Sequence, residues 1–158
     1  MADLAFNIAK GRAVEWYNRV KNNDPANAAF IAVLLKTAEV DATLIDYDDL
    51  GAILAGANTE ATFTNYGRIV VTDADLAALP APDDTNNRFD IDMPDLVWTD
   101  AGGASNDTLV KLLICYDSDT GAGTDADILP VAHYDFAVTT DGNTLTAELH
   151  VDGFYRAS

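Results

Sequence analysis

The stretch Val131–Val151, VAHYDFAVTTDGNTLTAELHV, decides how the chain is read. Thr140-Asp141-Gly142-Asn143 is a hairpin signal between Val131–Thr139 and Thr144–Val151, because a type I′ turn needs positive φ at both central positions and Asp-Gly tolerates it. A two-residue loop sets Val138 opposite Leu145, Phe136 opposite Ala147 and Tyr134 opposite Leu149, all apolar, so register and pattern agree. The other face then pairs His133 with His150 and Asp135 with Glu148. A slip of one residue mixes the faces; a slip of two keeps them and sets His150 opposite Asp135. Asp152-Gly153 turns the chain into a closing segment, GFYRAS.

Further strands flank this stretch in the sequence. Leu109–Tyr116, LVKLLICY, is a nearly continuous apolar run and reads as a central strand buried on both faces. AAFIAVLLKT over residues 28–37 reads the same way, although an apolar run of this length also fits a helix. Arg88–Met93 alternates, with Phe89, Ile91 and Met93 on one face and Asp90 and Asp92 on the other, and stops at Pro94. Leu96, Val97 and Trp98 form another strand before a Gly-rich turn. Leu44, Tyr47, Leu50 and Leu54 recur at helical spacing and predict a helix near 43–55, with Thr43 and Asp46 as a capping box and Gly56 as its stop. A shorter helix is predicted near 73–79, capped by Thr72 with Asp75 and ended by Pro80. About eight short strands with one or two short helices predict a mainly β, single-domain β-sandwich or jelly-roll-like fold.

Composition bounds what such a domain does. The 158 residues carry 9 Lys plus Arg against 26 Asp plus Glu, a formal net charge of −17, and are 49% hydrophobic. A core is therefore within reach, and nucleic-acid binding is disfavoured because phosphates require clustered cations. Repulsion equally disfavours an anionic membrane surface, and no apolar run reaches the ~20 residues of a membrane span. The opening MADLAFNIAKGR lacks a charged stretch followed by an apolar one, which predicts a soluble chain made in the cytosol. A single cysteine, Cys115, excludes an internal disulfide.

The charge is segregated. Residues 1–36 hold five cations against three acids, and the remaining residues hold four against 23. This pattern marks residues 1–27 as a candidate docking arm ahead of a β-rich domain over 28–158. Lys10, Arg12, Trp16, Tyr17, Arg19 and Lys21 are its candidate contacts, as apolar anchors flanked by the few cations. The competing reading is that the acids are solubilising and this segment is ordinary surface.

Candidate chemistry is sparse. His133, His150, Asp135 and Glu148 would project from one face of the hairpin at spacing that suits a divalent metal, against the alternative of a solvated polar face. A pH-responsive contact is the further option for histidines beside carboxylates. Asp117, Asp119, Asp125 and Asp127 invite a calcium reading, but an EF-hand counted from Asp117 needs Gly and Glu where Ala122 and Ile128 stand. Cys115 sits in an apolar run without neighbouring cations, as a core residue does. No catalytic or cofactor fingerprint is present, so neither catalytic residues nor a cofactor are expected.

FNIAKGR (residues 6–12), EWYNRVKNNDPANAAFIAVLLK (15–36), DDTNNRFDID (83–92), VWTDAGG (97–103) and VAHYDFAVTTDGNTLTAELHVDGFYRAS (131–158) resemble a family of small virion-associated proteins of tailed bacteriophages. The resemblance implies a non-enzymatic capsid component, a decoration or cementing protein on the outer surface of the assembled head. Its implied partners are the major capsid protein and neighbouring copies of itself, with a trimer suited to local threefold positions. A tail- or fibre-associated module that recognises a host surface through Trp98 or Tyr155 is the alternative, and a hydrolase or metal enzyme built on the two histidines is a third.

Overall fold

The computed structural model describes residues 3–150 and 153–157. Ten strands are present among them: β1 (Leu4–Ala5), β2 (Ala29–Thr37), β3 (Thr59–Glu60), β4 (Ile69–Val71), β5 (Phe89–Ile91), β6 (Leu96–Trp98), β7 (Thr108–Asp117), β8 (Leu129–Thr139), β9 (Leu145–Ala147) and β10 (Tyr155–Ala157). The helices are α1 (Ala13–Lys21), α2 (Asp41–Leu44) and α3 (Leu50–Ala55). The fold is mainly β and antiparallel. A six-stranded sheet runs in the order β1-β8-β7-β2-β3, with β4 also on β2, and β5–β10 and β6–β9 form two separate ribbons.

The two apolar runs occupy the centre of the sheet, as their sequence requires. β2 and β7 pair along seven positions from Ala29↔Asp117 to Leu35↔Lys111, and both are buried on both faces over most of their length. Residues opposite one another share a face, so Phe30, Tyr116, Leu112 and Tyr134 line one side and Val33, Leu113, Lys111 and His133 the other. On the first side, Trp16 stacks on Tyr116 with ring centroids 5.4 Å apart, and Phe30 meets both Tyr17 and Phe154. On the second side, Phe6 packs edge-on to His133 and Asp41 of α2 reaches Lys111.

The expected hairpin does not form. β8 pairs with β7 and β1, whereas β9 pairs with β6 in the register Leu96↔Ala147, Val97↔Thr146 and Trp98↔Leu145. The Asp141-Gly142 turn itself exists, with Gly142 at φ 96°. However, Gly142 N–H donates to Ala101 O and Ala101 N–H to Asn143 O, while Thr140 N–H donates to Asp107 O. These bonds dock the turn onto the Gly-rich turn at 101–103 and carry the chain off the sheet. Period-2 alternation specifies which face a strand buries and leaves its neighbour open. Val151 and Asp152, the end of that predicted strand and the start of the following turn, lie outside the described residues.

Both predicted helices are corrected. The helix near 43–55 is broken into α2 and α3, since Ile45 O accepts from Asn7 N–H and Asp46 from the Asn7 side chain, and α3 starts afresh with Asp49 accepting from Ala52 N–H at 2.7 Å. Its apolar stripe survives, with Leu44 and Leu50 buried, and Gly56 is the C-cap of α3. Residues 73–79 form turns and no helix. Thr72 N–H and hydroxyl do donate to the Asp75 carboxylate, but Lys21 takes the carbonyls of Asp73 and Leu76 and Tyr17 takes that of Ala77. These bonds from α1 hold the segment's carbonyls in its turn conformation.

Residues 1–27, expected as a docking arm, are built into the domain wherever they are described. Leu4 pairs with His133, Phe6 N–H donates to Val131 O, and Ala13, Trp16, Tyr17 and Val20 of α1 are buried. Their spacing is the apolar stripe of an amphipathic helix.

Candidate functional site

The six candidate contact residues divide by burial. Trp16 and Tyr17 are 4% and 1% exposed and belong to the core, so they are not available as docking anchors. Lys21 is half-buried, with its ammonium on two backbone carbonyls. Lys10, Arg12 and Arg19 remain exposed. Lys10 donates to the Asn7 side chain and Arg19 pairs with Glu15 one turn away, whereas the Arg12 guanidinium makes no hydrogen bond or ion pair among the described residues.

Cations from Lys36 onward are all tied to acids. Lys36 pairs with Asp107, Arg68 with Glu60 and Asp125, Arg88 with Asp83 and Asp90, Lys111 with Asp41 and Asp135, and Arg156 with Asp90. Positive charge facing solvent without an acidic partner among the described residues is thus concentrated at Lys10 and Arg12, at the start of α1; Arg19, two turns further on, is exposed but paired with Glu15.

The predicted metal group is not assembled as expected. Because β8 and β9 do not pair, His133 and His150 are not cross-strand neighbours. His133 is fully buried against Phe6, while His150 is exposed and borders a recess with Asp3, Leu4, Tyr134, Tyr155 and Arg156. Asp135 and Glu148 border the adjoining recess, but Asp135 is bound to Lys111. Among the described residues no three His, Cys, Asp or Glu side chains have the arrangement of a metal site.

The acidic loop is likewise committed to its own chain. Asp117 accepts from Asp119 N–H, Asp119 from Asn27 and Gly121 N–H, Asp125 from Arg68, and Asp127 from Thr124 in a capping box. Hydrogen bonds from Arg68 hold the Asp125 carboxyl below its ordinary value. Cys115 is fully buried, and burial pushes its thiol up to about 12, the behaviour of an inert core cysteine. Trp98 is 3% exposed with its indole N–H on Gly67 O, so it offers no platform to a glycan; Tyr155 is half-buried beside His150.

One polar cluster escaped the sequence reading. Lys111, 1% exposed, is held between Asp41 at 2.7 Å and Asp135. Burial alone would lower its pKa, but the bonds to Asp135 and Asp41 outweigh burial and raise it. The signal was a lysine inside LVKLLICY, since a buried ammonium requires carboxylate partners. No protein-family model, curated protein or solved structure matches the chain. Among the described residues no helix is long and apolar enough to cross a membrane.

Proposed function

We propose that this protein is a virion structural protein of a tailed bacteriophage, a decoration protein that binds the outer surface of the assembled head and stabilises it without catalysing a reaction. The observation that carries the reading is the segregation of solvent-facing cations. In a chain of net charge −17, Lys10, Arg12 and Arg19 stand exposed on a segment clamped to the core by Trp16 and Tyr17. A fixed cationic face on an acidic body supports oriented docking on an acidic surface of the major capsid protein or of a neighbouring copy. Mutual repulsion of the acidic bodies favours assembly on the shell, with a trimer at local threefold positions, over assembly in solution.

The sandwich-like part of the reading rests on the β5–β10 and β6–β9 ribbons, as a second layer: Phe154, next to β10, packs on Phe30 of the sheet. The alternative, a host-surface-binding module of the tail or a fibre, is favoured by the recess of about 440 Å³ that Tyr134, His150, Tyr155 and Arg156 border. Co-sedimentation with purified heads tests the docking face. The triple variant K10A/R12A/R19A is expected to lose occupancy by at least tenfold at low salt, equivalent to about 1.4 kcal/mol. Unchanged occupancy would place the contact elsewhere.

A further inference from the structure

The His133 imidazole is the least satisfied polar group of the sheet. It is fully buried, and neither ring nitrogen has a hydrogen-bond partner among the described residues. Buried polar groups are almost always paired, so an orphan calls for a reason. What covers it is the segment Asp3–Ala9. Leu4 lies opposite it in β1, the Phe6 ring stands edge-on at 5.5 Å, and the cover is fastened by Phe6 N–H to Val131 O, Asn7 N–H to Ile45 O and the Asp3 carboxylate on Asp135 N–H.

The charged groups around the ring come from four places: Lys111 of β7, Asp41 of α2, Asp135 of β8 and Asp3 of the covering segment itself. Lys111 engages both Asp41 and Asp135. Asp3 is engaged on backbone. None of these carboxylates binds the imidazole. A proton arriving on the ring would create a cation shielded from bulk solvent and bonded to no anion, with an ammonium nearby.

We propose that Asp3–Ala9 is an acid-released strap, closed only while His133 is neutral and opened by its protonation. Burial, and after it the charge of Lys111, hold His133 below the ordinary histidine range, with Asp41, Asp135 and Asp3 opposing the shift only in part. Once the strap lifts, the ring meets water and titrates near ~6.5. The open form then binds a proton that the closed form refuses, so its population is constant above about 6.5 and rises about tenfold per pH unit below it, down to the closed-state value. Carboxylates titrate near ~4, beneath this window.

Amide hydrogen exchange of the full chain, followed by NMR from pH 7.5 to 5 and divided by the intrinsic rate at each pH, tests the strap. Protection at Phe6 and Asn7 should be flat above about 6.5 and fall about tenfold per unit below it, while the β7 amides remain protected. In H133F, which keeps a ring against Phe6, the profile should be flat; H133L serves if that variant does not fold. H150Q should keep the wild-type slope. A flat wild-type profile, equal loss of protection in β7, the wild-type slope in H133F, or its disappearance in H150Q would each overturn the proposal.

Discussion

Replacing Trp16 by alanine separates an integral helix from a detachable arm. The indole is 4% exposed and stacks on Tyr116 with ring planes within 2° and centroids 5.4 Å apart. Truncating a buried aromatic to alanine costs about 3–5 kcal/mol, from lost transfer energy and the cavity left behind. For a chain of this length each kcal/mol lowers the melting temperature by about 2–4 °C, so W16A should melt roughly 6–20 °C below wild type. Urea unfolding should show a lower midpoint at unchanged slope, since the surface exposed on unfolding barely changes. R12A, four residues earlier on exposed surface, should stay within about 0.5 kcal/mol. If W16A and R12A were equally neutral, α1 would not be part of the cooperative core, and the assignment of Trp16 to packing would fall.

Two more substitutions probe particular contacts. Burial alone would raise the Asp107 pKa, but the Thr62 amide and the Lys36 ammonium outweigh it and hold the carboxyl below its ordinary value. Its contribution is therefore complete above the unfolded carboxylate pKa near ~3.9 and lost as pH falls through the lower folded value. D107N should cost about 1.5–3 kcal/mol at pH 7 by urea titration and progressively less as pH falls below 4; a pH-independent cost would contradict the sign. Gly153 sits at φ 92°, and a Cβ there would meet Ile91 O at 2.2 Å. G153A should lower stability by about 1–3 kcal/mol, with exchange protection in β5 and β10 reduced first.

What was legible in the sequence follows from what a pattern encodes. LVKLLICY reads as a central strand, and AAFIAVLLKT as a buried strand or a helix, because burial on both faces leaves few polar interruptions; the structure puts them side by side as β7 and β2. Strands β5 and β6 were likewise visible, each short and bounded by turn residues. Partner choice was not visible: the turn at Asp141-Gly142 has the composition of a hairpin, but its amides are claimed by Ala101 and its strand by β6. The break between α2 and α3 depends on Asn7, and the missing helix at 73–79 on Tyr17 and Lys21, all distant in sequence. At the candidate site, charge segregation was legible because it is compositional. The burial of Trp16 and Tyr17 is encoded in the helical spacing of Ala13, Trp16, Tyr17 and Val20, a feature that charge segregation does not reveal. The isolation of His133 was not legible, since it depends on where β9 goes.

Where the protein resides is read most directly from its copy number in purified particles, by quantitative mass spectrometry against the major capsid protein with heads and tails separated. The decoration reading predicts about one copy per capsid subunit or one per few, confined to heads and at fixed stoichiometry. A handful of copies travelling with tails, or absence from particles, would contradict it.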